Sequence, residues 1–348
     1  MTAGLSPLVS ILTPVYNGAE HLAECIESVL AQSYQNWDYT IVDNCSTDDS
    51  VQVAQSYAAK DPRIRIHQNQ QFLRAIPNHN VALRQISPAA KYCKMVFADD
   101  WIFPECLERM VALAEEHPSV GIVGAYALQG TQVLWTGLPY PSKVVSGREI
   151  CRRHFLENLY VFGTANCVLY RADLVRRHDP FYNEANIHAD TEVCFAVLQT
   201  CDFGFVHQVL TFTRMRPGSL ATVSEDLHTD FAGMLQTLTA HGPAYLTSAE
   251  FDQLLTQHLS QYYRFLGKSL IMGRGKEFWK FHKRKLNEAG YGVSRTRLIM
   301  GLAAALAGAA LKPRETIKNL LKRRDDRTFG QGNQRAASRP SSIPADGR

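Results

Sequence analysis

Hydrophobic positions in the first part of the chain follow two periods in turn. Val9-Ser10-Ile11-Leu12-Thr13-Pro14-Val15 is an apolar run stopped by Tyr16-Asn17-Gly18, which predicts a buried strand and a turn. Leu22, Ile26, Val29 and Leu30 then recur at helical spacing, so one helix face can cover a sheet. Tyr39-Thr40-Ile41-Val42 returns as a second strand, ending in Asp43-Asn44-Cys45-Ser46-Thr47-Asp48-Asp49. The alternation continues through Ile64-Arg65-Ile66, a helix around Asn78 to Gln85, a strand at Met95-Val96-Phe97, a helix from Pro104 to Glu116 and a strand from Val120 to Ala127. This predicts an α/β fold, Rossmann-like, with a mostly parallel sheet flanked by helices. A parallel sheet gathers its strand ends on one edge, so Thr13, Asp43 and Asp99 are expected to line one cleft.

The pattern loosens from Gly130 to Ser146, where glycine and proline cluster. Beyond it come the run Cys167-Val168-Leu169-Tyr170, a helix near Ala172 to His178, and His188-Ala189-Asp190-Thr191-Glu192. From about Leu227 the chain reads as mostly helical, a helical C-terminal extension. The expected domains are 1–225, an α/β domain; 226–290, the helical extension; 291–324, a basic amphipathic membrane-surface segment; and 325–348, a polar, disordered tail. Leu298 to Leu311 is almost wholly apolar yet shorter than the ~20 residues that cross a bilayer. Arg314, Lys318 and Lys322 follow beside Ile317 and Leu321, which describes a helix lying on an anionic membrane surface. A helix packed on the protein with a solvated basic extension is the alternative. Between Arg274 and Lys285, lysines and arginines interleave with Phe278, Trp279 and Phe281, a mixture that fits anionic lipid or nucleic acid. The neighbouring apolar stretch favours lipid, and no nucleic-acid module is recognisable.

Composition adds little. The 348 residues are 45% hydrophobic and 20% charged, which suits one generous globular domain with an appendage, and the net charge of +4 does not require a nucleic-acid partner. None of the 8 cysteines forms a Cys-x-x-Cys pair and several lie in apolar runs, so reduced core thiols of a cytosolic protein are expected. The first residues lack a basic stretch followed by an apolar signal core, so no export signal is expected. No Gly-x-Gly-x-x-Gly follows the first strand and no P-loop is visible, which disfavours a dinucleotide-dependent dehydrogenase or a P-loop NTPase.

The chemistry concentrates at strand ends. Asp99-Asp100 directly after Met95-Val96-Phe97 presents hard oxygens suited to Mn²⁺ or Mg²⁺, although an acidic pair there is also an ordinary turn. Asp43, an acceptor-only carboxylate, suits the N3–H of uracil, and the Tyr16 ring can flank a base. Cytosine offers no such donor, whereas thymine and guanine do, so UDP is the leading nucleotide among three. The alternative is that Asp43 caps its own turn.

Thr13-Pro14-Val15-Tyr16-Asn17, Val42 to Asp48, Asn78-His79-Asn80 and Ala98-Asp99-Asp100-Trp101, in that order, resemble the inverting family 2 glycosyltransferases with the GT-A fold, of the bacterial cell-surface polysaccharide type. The resemblance covers roughly residues 8 to 220. It implies transfer of a hexosyl or N-acetylhexosaminyl group from a nucleotide-sugar donor to a hydroxyl of a glycan or lipid-linked acceptor. It assigns Thr13, Pro14, Tyr16, Asp43, Arg74, Asp99, Arg214 and Arg216 to the nucleotide-sugar, Asp100 with Asp99 to the metal, and Asp190 to general-base catalysis. It also implies a cytoplasmic protein, peripheral on the cytoplasmic face of the inner membrane. Two positions depart from the family pattern: Phe97 stands where many members carry a further aspartate, and Ala189 where a glutamate precedes the base. Asp190 also reads as a helix N-cap with Glu192 one turn in, a role compatible with catalysis. The two departures keep a catalytically impaired nucleotide-sugar binding protein as the alternative reading, and a basic nucleic-acid-binding protein stands behind it.

Overall fold

A computed structural model describes residues 6–215 and 220–311. Arg216, the basic positions Arg314, Lys318 and Lys322, and the polar tail lie outside the described residues. Packing divides the chain into two units, Met1–Gln257 and His258–Arg348.

The first unit begins with β1 (Val9–Val15), α1 (Ala19–Leu30), β2 (Trp37–Asp43), α2 (Ser50–Ala58), β3 (Ile64–Gln68), α3 (Ala75–Leu83), β4 (Tyr92–Met95), β5 (Trp101–Ile102), α4 (Cys106–Glu116) and β6 (Val120–Gln129). It continues through β7 (Gln132–Leu134), β8 (Val144–Val145), α5 (Gly147–Glu157), a 3₁₀ turn at Ala165–Cys167, β9 (Val168–Arg171), α6 (Ala172–Arg176), α7 (Ala189–Val197) and β10 (Asp202–Phe212). Helices α8 (Leu220–Leu227) and α9 (Asp230–Tyr245) follow, and α10 (Ser248–Ile271) begins in this unit and belongs to the second from His258 on. Every residue of β1 is buried, because helices cover both faces of the sheet. Alternation sorts its side chains: Val9, Ile11 and Val15 join the core beneath α1 and α4, while Leu12 joins the core shared with α5 and α7.

The strand order is β3-β2-β1-β4-β9-β6-β10-β5. Strands β3, β2, β1 and β4 run parallel, with Val15 level with Asp43 and Asp43 level with Gln68. β6 and β10 are also parallel, but β9, between β4 and β6, is antiparallel to both. Most neighbouring pairs along this order are parallel, as expected, and the antiparallel strands β9 and β5 make the sheet mixed. The chain enters β9 from the edge where the parallel strands end, so β9 must run the other way. Helix α9 packs on α5 and α7, with the Tyr245 hydroxyl donating to the Phe195 carbonyl. The first unit thus carries helices beyond residue 225.

The second unit contains α11 (Lys276–Glu288) and α12 (Arg295–Leu311). The Tyr262 hydroxyl lies 2.6 Å from His282 Nδ1, and Phe278 packs on the same imidazole at 4.2 Å between centroids. Gly301 lets α12 approach closely: a Cβ there would lie 2.1 Å from the Tyr263 carbonyl oxygen. The opposite side of α12 leaves Ile299 and Met300 each 66% exposed, and Leu306 is exposed too. Among the described residues, no helix is long and apolar enough to cross a membrane. The basic aromatic stretch is split: Phe278 and Lys285 face inward, Lys285 paired with Glu288 at 2.8 Å, while Lys276, Lys280, Lys283 and Arg284 are exposed.

Candidate active site

The loops after β1 and β2 are knitted together. Asn17, held at φ +48°, donates its backbone N–H to Ser46 Oγ at 2.9 Å and accepts from the Thr47 N–H at 2.8 Å. Asp48 accepts from the Ala19 N–H at 3.0 Å, which locks the start of α1 to the same loop. Asp43 is buried at the β2 end and, among the described residues, its carboxylate receives only the Ser46 N–H, at 3.2 and 3.4 Å to its two oxygens. Those long bonds leave acceptor capacity for a ligand. Next to it, Asn44 Oδ1 accepts from Asn69 Nδ2 and from the Leu73 N–H, both at 2.9 Å, and its amide donates to the Leu73 carbonyl. Asn69 also donates to Asn78 at 2.8 Å. This network hangs the 69–74 loop beside Asp43. Phe72 on that loop is exposed and lies 4.7 Å from the exposed Tyr16 ring, so two aromatic rings stand over the strand ends. Arg74 is exposed at the start of α3.

Thr13 and Pro14 are buried within β1. The Thr13 hydroxyl donates to the Val96 carbonyl at 2.7 Å and meets the Tyr39 hydroxyl at 2.8 Å. The expectation that Thr13 lines the cleft is not met, because its position in the alternation turns it into the core with Ile11 and Val15.

Asp99 and Asp100 follow β4 in a tight turn closed by the Asp100 N–H on the Phe97 carbonyl at 3.0 Å. Asp100 is only 3% exposed, and Oδ1 accepts the Arg214 N–H at 2.8 Å. Burial, with the Asp99 charge beside it, pushes its carboxyl up to about 8. Arg214 Nε donates to the Asp99 carbonyl at 3.0 Å, and its guanidinium pairs with Glu24. Arg214 therefore meets the acidic turn. Phe97, where a further aspartate is common, stacks on the His79 imidazole at 5.0 Å, and burial drives that imidazole down to about 4. An apolar pair occupies the place of an acid.

Under this turn lies Lys94, fully buried. Its ammonium donates to the Asn166 and Met95 carbonyls, and burial lowers its pKa. Asn166, on the 3₁₀ turn, is itself fully buried, so Lys94 ties the acidic turn to the segment entering β9.

Among the described residues no cluster of three or more histidine, cysteine or acidic side chains could cage a metal. Asp99 and Asp100 alone nevertheless fit Mn²⁺ or Mg²⁺, which take one or two protein carboxylates and complete their shell with phosphate oxygens and water. A buried carboxyl raised to about 8 beside a second carboxylate is a donor set short of positive charge.

Asp190 lies in the first turn of α7, which starts one residue before it; His188, not Asp190, holds the N-cap position. Its Oδ1 accepts the Thr191 N–H at 2.8 Å. Burial raises its pKa, partly offset by the His188 charge and by backbone N–H groups. Burial thus raises the basicity that the glutamate missing at Ala189 does not supply. Glu192 is buried and accepts from Asn183 at 3.1 Å and Asn186 at 2.7 Å, with His241 3.7 Å away. Despite burial, those partners hold its carboxyl below the usual range, and it anchors α7.

Residues 10–178 match the model described as Glycosyl transferase family 2. This stretch is a family 2 glycosyltransferase domain. EpsE of Bacillus subtilis (strain 168), which carries a glycosyltransferase name, is 33% identical over 153 residues, 42% of this chain and 54% of EpsE. TuaG of the same organism, named for teichuronic acid biosynthesis, is 31% identical over 122 residues, 35% of this chain and 48% of TuaG. The chain thus spans about half the length of these relatives. Its fold is similar to that of S. aureus TarS 1-349, crystallised with UDP-GlcNAc, at 19% identity and a TM-score of 0.61, covering 86% of this chain and 88% of that one. These likenesses establish the GT-A-like fold of the glycosyltransferase domain, with the mixed sheet described above.

Sequence reasoning missed Phe72, Glu24, Lys94, Asn166, Trp135 and Tyr160, all brought near the site by tertiary packing. Phe72 had a signal, an apolar ring in a polar loop; the others had none.

Proposed function

We propose that the protein transfers a sugar from a UDP-sugar to an acceptor hydroxyl with inversion, at an anionic membrane surface and in the assembly of a cell-surface or lipid-linked glycan. The observation that carries it is the junction of Asp99, Asp100 and Arg214, which brings two carboxylates and a guanidinium together at one sheet edge. The UDP-GlcNAc bound to TarS supports a uridine donor, and the teichuronic acid name of TuaG supports a surface-polysaccharide product.

In this reading Asp43 accepts the N3–H of the base while Tyr16 and Phe72 flank it. Arg74 and Arg214 offer charge to the diphosphate, and Arg216, outside the described residues, is assigned to the same task. Asp100 and Asp99 would hold a divalent cation, which when bound neutralises charge on the departing diphosphate. Asp190, its basicity raised by burial, takes the proton of the acceptor hydroxyl as that oxygen attacks the anomeric carbon opposite the leaving group. Exposed Ile299, Met300 and Leu306 on α12 enter the lipid interface, with Lys276, Lys280, Lys283 and Arg284 as its basic companions.

A thermal-shift screen with UDP-, GDP- and dTDP-sugars plus Mn²⁺ tests the donor. A shift confined to GDP-sugars would overturn the uridine assignment. The anomeric configuration of the product, read by NMR, tests inversion.

A further inference from the structure

One aromatic side chain, Tyr160, lies against the segment that carries Asp190, and a second, Trp135, packs on it. The Tyr160 hydroxyl is 2.8 Å from Thr191 Oγ1, and the Thr191 N–H donates to Asp190 at 2.8 Å. Burial, and after it the Asp190 charge, holds the Tyr160 phenol above its ordinary pKa, which puts its ring within electrostatic reach of that carboxylate. Trp135 packs on Tyr160 with centroids 5.1 Å apart and planes tilted by 42°. Tyr160 nevertheless stays 40% exposed.

Trp135 is held there against two costs. Its φ of +65° is a conformation that bulky residues avoid. Its indole N–H is buried with no hydrogen-bond partner among the described residues. Gly163 makes the room: a Cβ there would lie 3.1 Å from Nε1 and 2.7 Å from the Cys167 Cβ. A connection between β7 and β8 has no folding reason to keep an indole under such terms. Tyr16, Phe72 and Asp43 lie at the ends of β1 to β3, whereas Trp135 follows β7 and Tyr160 follows α5, so the pair is separate from them in the chain, with the Tyr160 hydroxyl on the residue next to Asp190.

We propose that Trp135 and Tyr160 form the platform on which a pyranose of the acceptor stacks, presenting a rim hydroxyl to Asp190. The inference rests on the reading of Asp190 as the base. A pyranose is amphipathic in the right way: its C–H face can cover an aromatic surface while its equatorial hydroxyls stay at the edge. The platform therefore favours sugars with equatorial substituents over those with an axial hydroxyl on the stacking face.

The test uses the full chain labelled with 5-fluorotryptophan, whose 4 tryptophans give separate fluorine resonances, with Trp135→Phe assigning one of them. Methyl β-D-glucopyranoside and its N-acetylglucosamine counterpart are titrated in the presence of UDP and Mn²⁺, with sorbitol as the acyclic control and UDP binding followed by calorimetry on the same samples. The Trp135 resonance should move saturably with the glycosides and not with sorbitol. Tyr160→Ala should weaken that response about fivefold or more, while Tyr160→Phe, which keeps the ring, stays within about twofold. A Trp135 resonance indifferent to both glycosides in a protein that binds UDP would overturn the platform and leave the proposed function standing. A resonance that answers UDP but neither glycoside would move the pair to the donor side and overturn it as well. Loss of UDP binding in the unmodified protein would overturn the underlying reading, and the platform with it.

Discussion

The Arg214 backbone N–H donates to Asp100 Oδ1 across 2.8 Å, although 114 residues separate them in the chain. Arg214 leaves β10 just after Phe212, which pairs with Trp101 next to the acidic turn. The antiparallel edge strand β5 therefore delivers the arginine to the carboxylates, and Glu24 on α1 takes its guanidinium.

That placement makes Asp100 a pH-dependent liability in the absence of a cation. Its folded pKa of about 8 lies above the ordinary carboxylate value, so its contribution is fully present below about pH 4 and is lost as pH rises through about 8. Asp100→Asn keeps the acceptor oxygen for Arg214 without the charge. In chelator its melting temperature should match the native chain near pH 4–5 and exceed it by about 2–4 °C or more above pH 8. Mn²⁺ with UDP should then stabilise the native chain alone. Parallel melting curves across this pH range would refute the burial argument.

Asp43→Ala should weaken UDP binding by about 1–3 kcal/mol, the worth of a charge-assisted hydrogen bond. Its one hydrogen-bond partner among the described residues, the Ser46 N–H, is held at 3.2–3.4 Å, so the fold should tolerate the change. Calorimetry checks the affinity, and an unchanged value would leave Asp43 as a turn cap.

Asp190→Asn retains an oxygen for the Thr191 N–H but lacks basicity. Turnover should fall by roughly 10²–10⁴ with donor binding intact. Glu192→Gln should behave differently, because its buried carboxylate is matched to Asn183, Asn186 and His241. Its signature should be a lower melting temperature with donor affinity unchanged. If Asp190→Asn kept near-normal turnover with chemistry limiting, the base would have to be sought elsewhere.

What the sequence made legible was local. Asp43 and the Asp99-Asp100 pair stand directly after apolar runs, and a parallel pattern of strands and helices brings such ends to one edge. The direction of β9 was not legible, since the run Val168-Leu169-Tyr170 looks the same whichever way it pairs. Thr13 misled for a related reason: its hydroxyl suggests a cleft, but the alternation of β1 turns it inward to Val96 and Tyr39. Lys94 and Asn166 are 72 residues apart and meet only through β4, β9 and the 3₁₀ turn, a juxtaposition no short pattern encodes. Sequence reading also treated the aromatic residues from Phe278 to Phe281 as one surface, whereas Phe278 packs on His282 inside the second unit.

The same unit supplies the remaining prediction. Removing α12 outright would uncover the Tyr263 and Gly267 backbone that Gly301 now approaches, so a truncated protein would confuse membrane binding with damage to the helical unit. Replacing Ile299, Met300 and Leu306 together by glutamine avoids this, because all three are exposed already. Melting temperature and UDP affinity should stay within error of the native chain, while co-sedimentation with phosphatidylglycerol-containing liposomes is lost. Salt should release the native protein progressively, since the screening length falls to roughly 3 Å at 1 M and the exposed Lys276, Lys280, Lys283 and Arg284 would no longer sense the surface. Native protein remaining in the supernatant at low salt would instead assign the exposed side of α12 to something other than lipid.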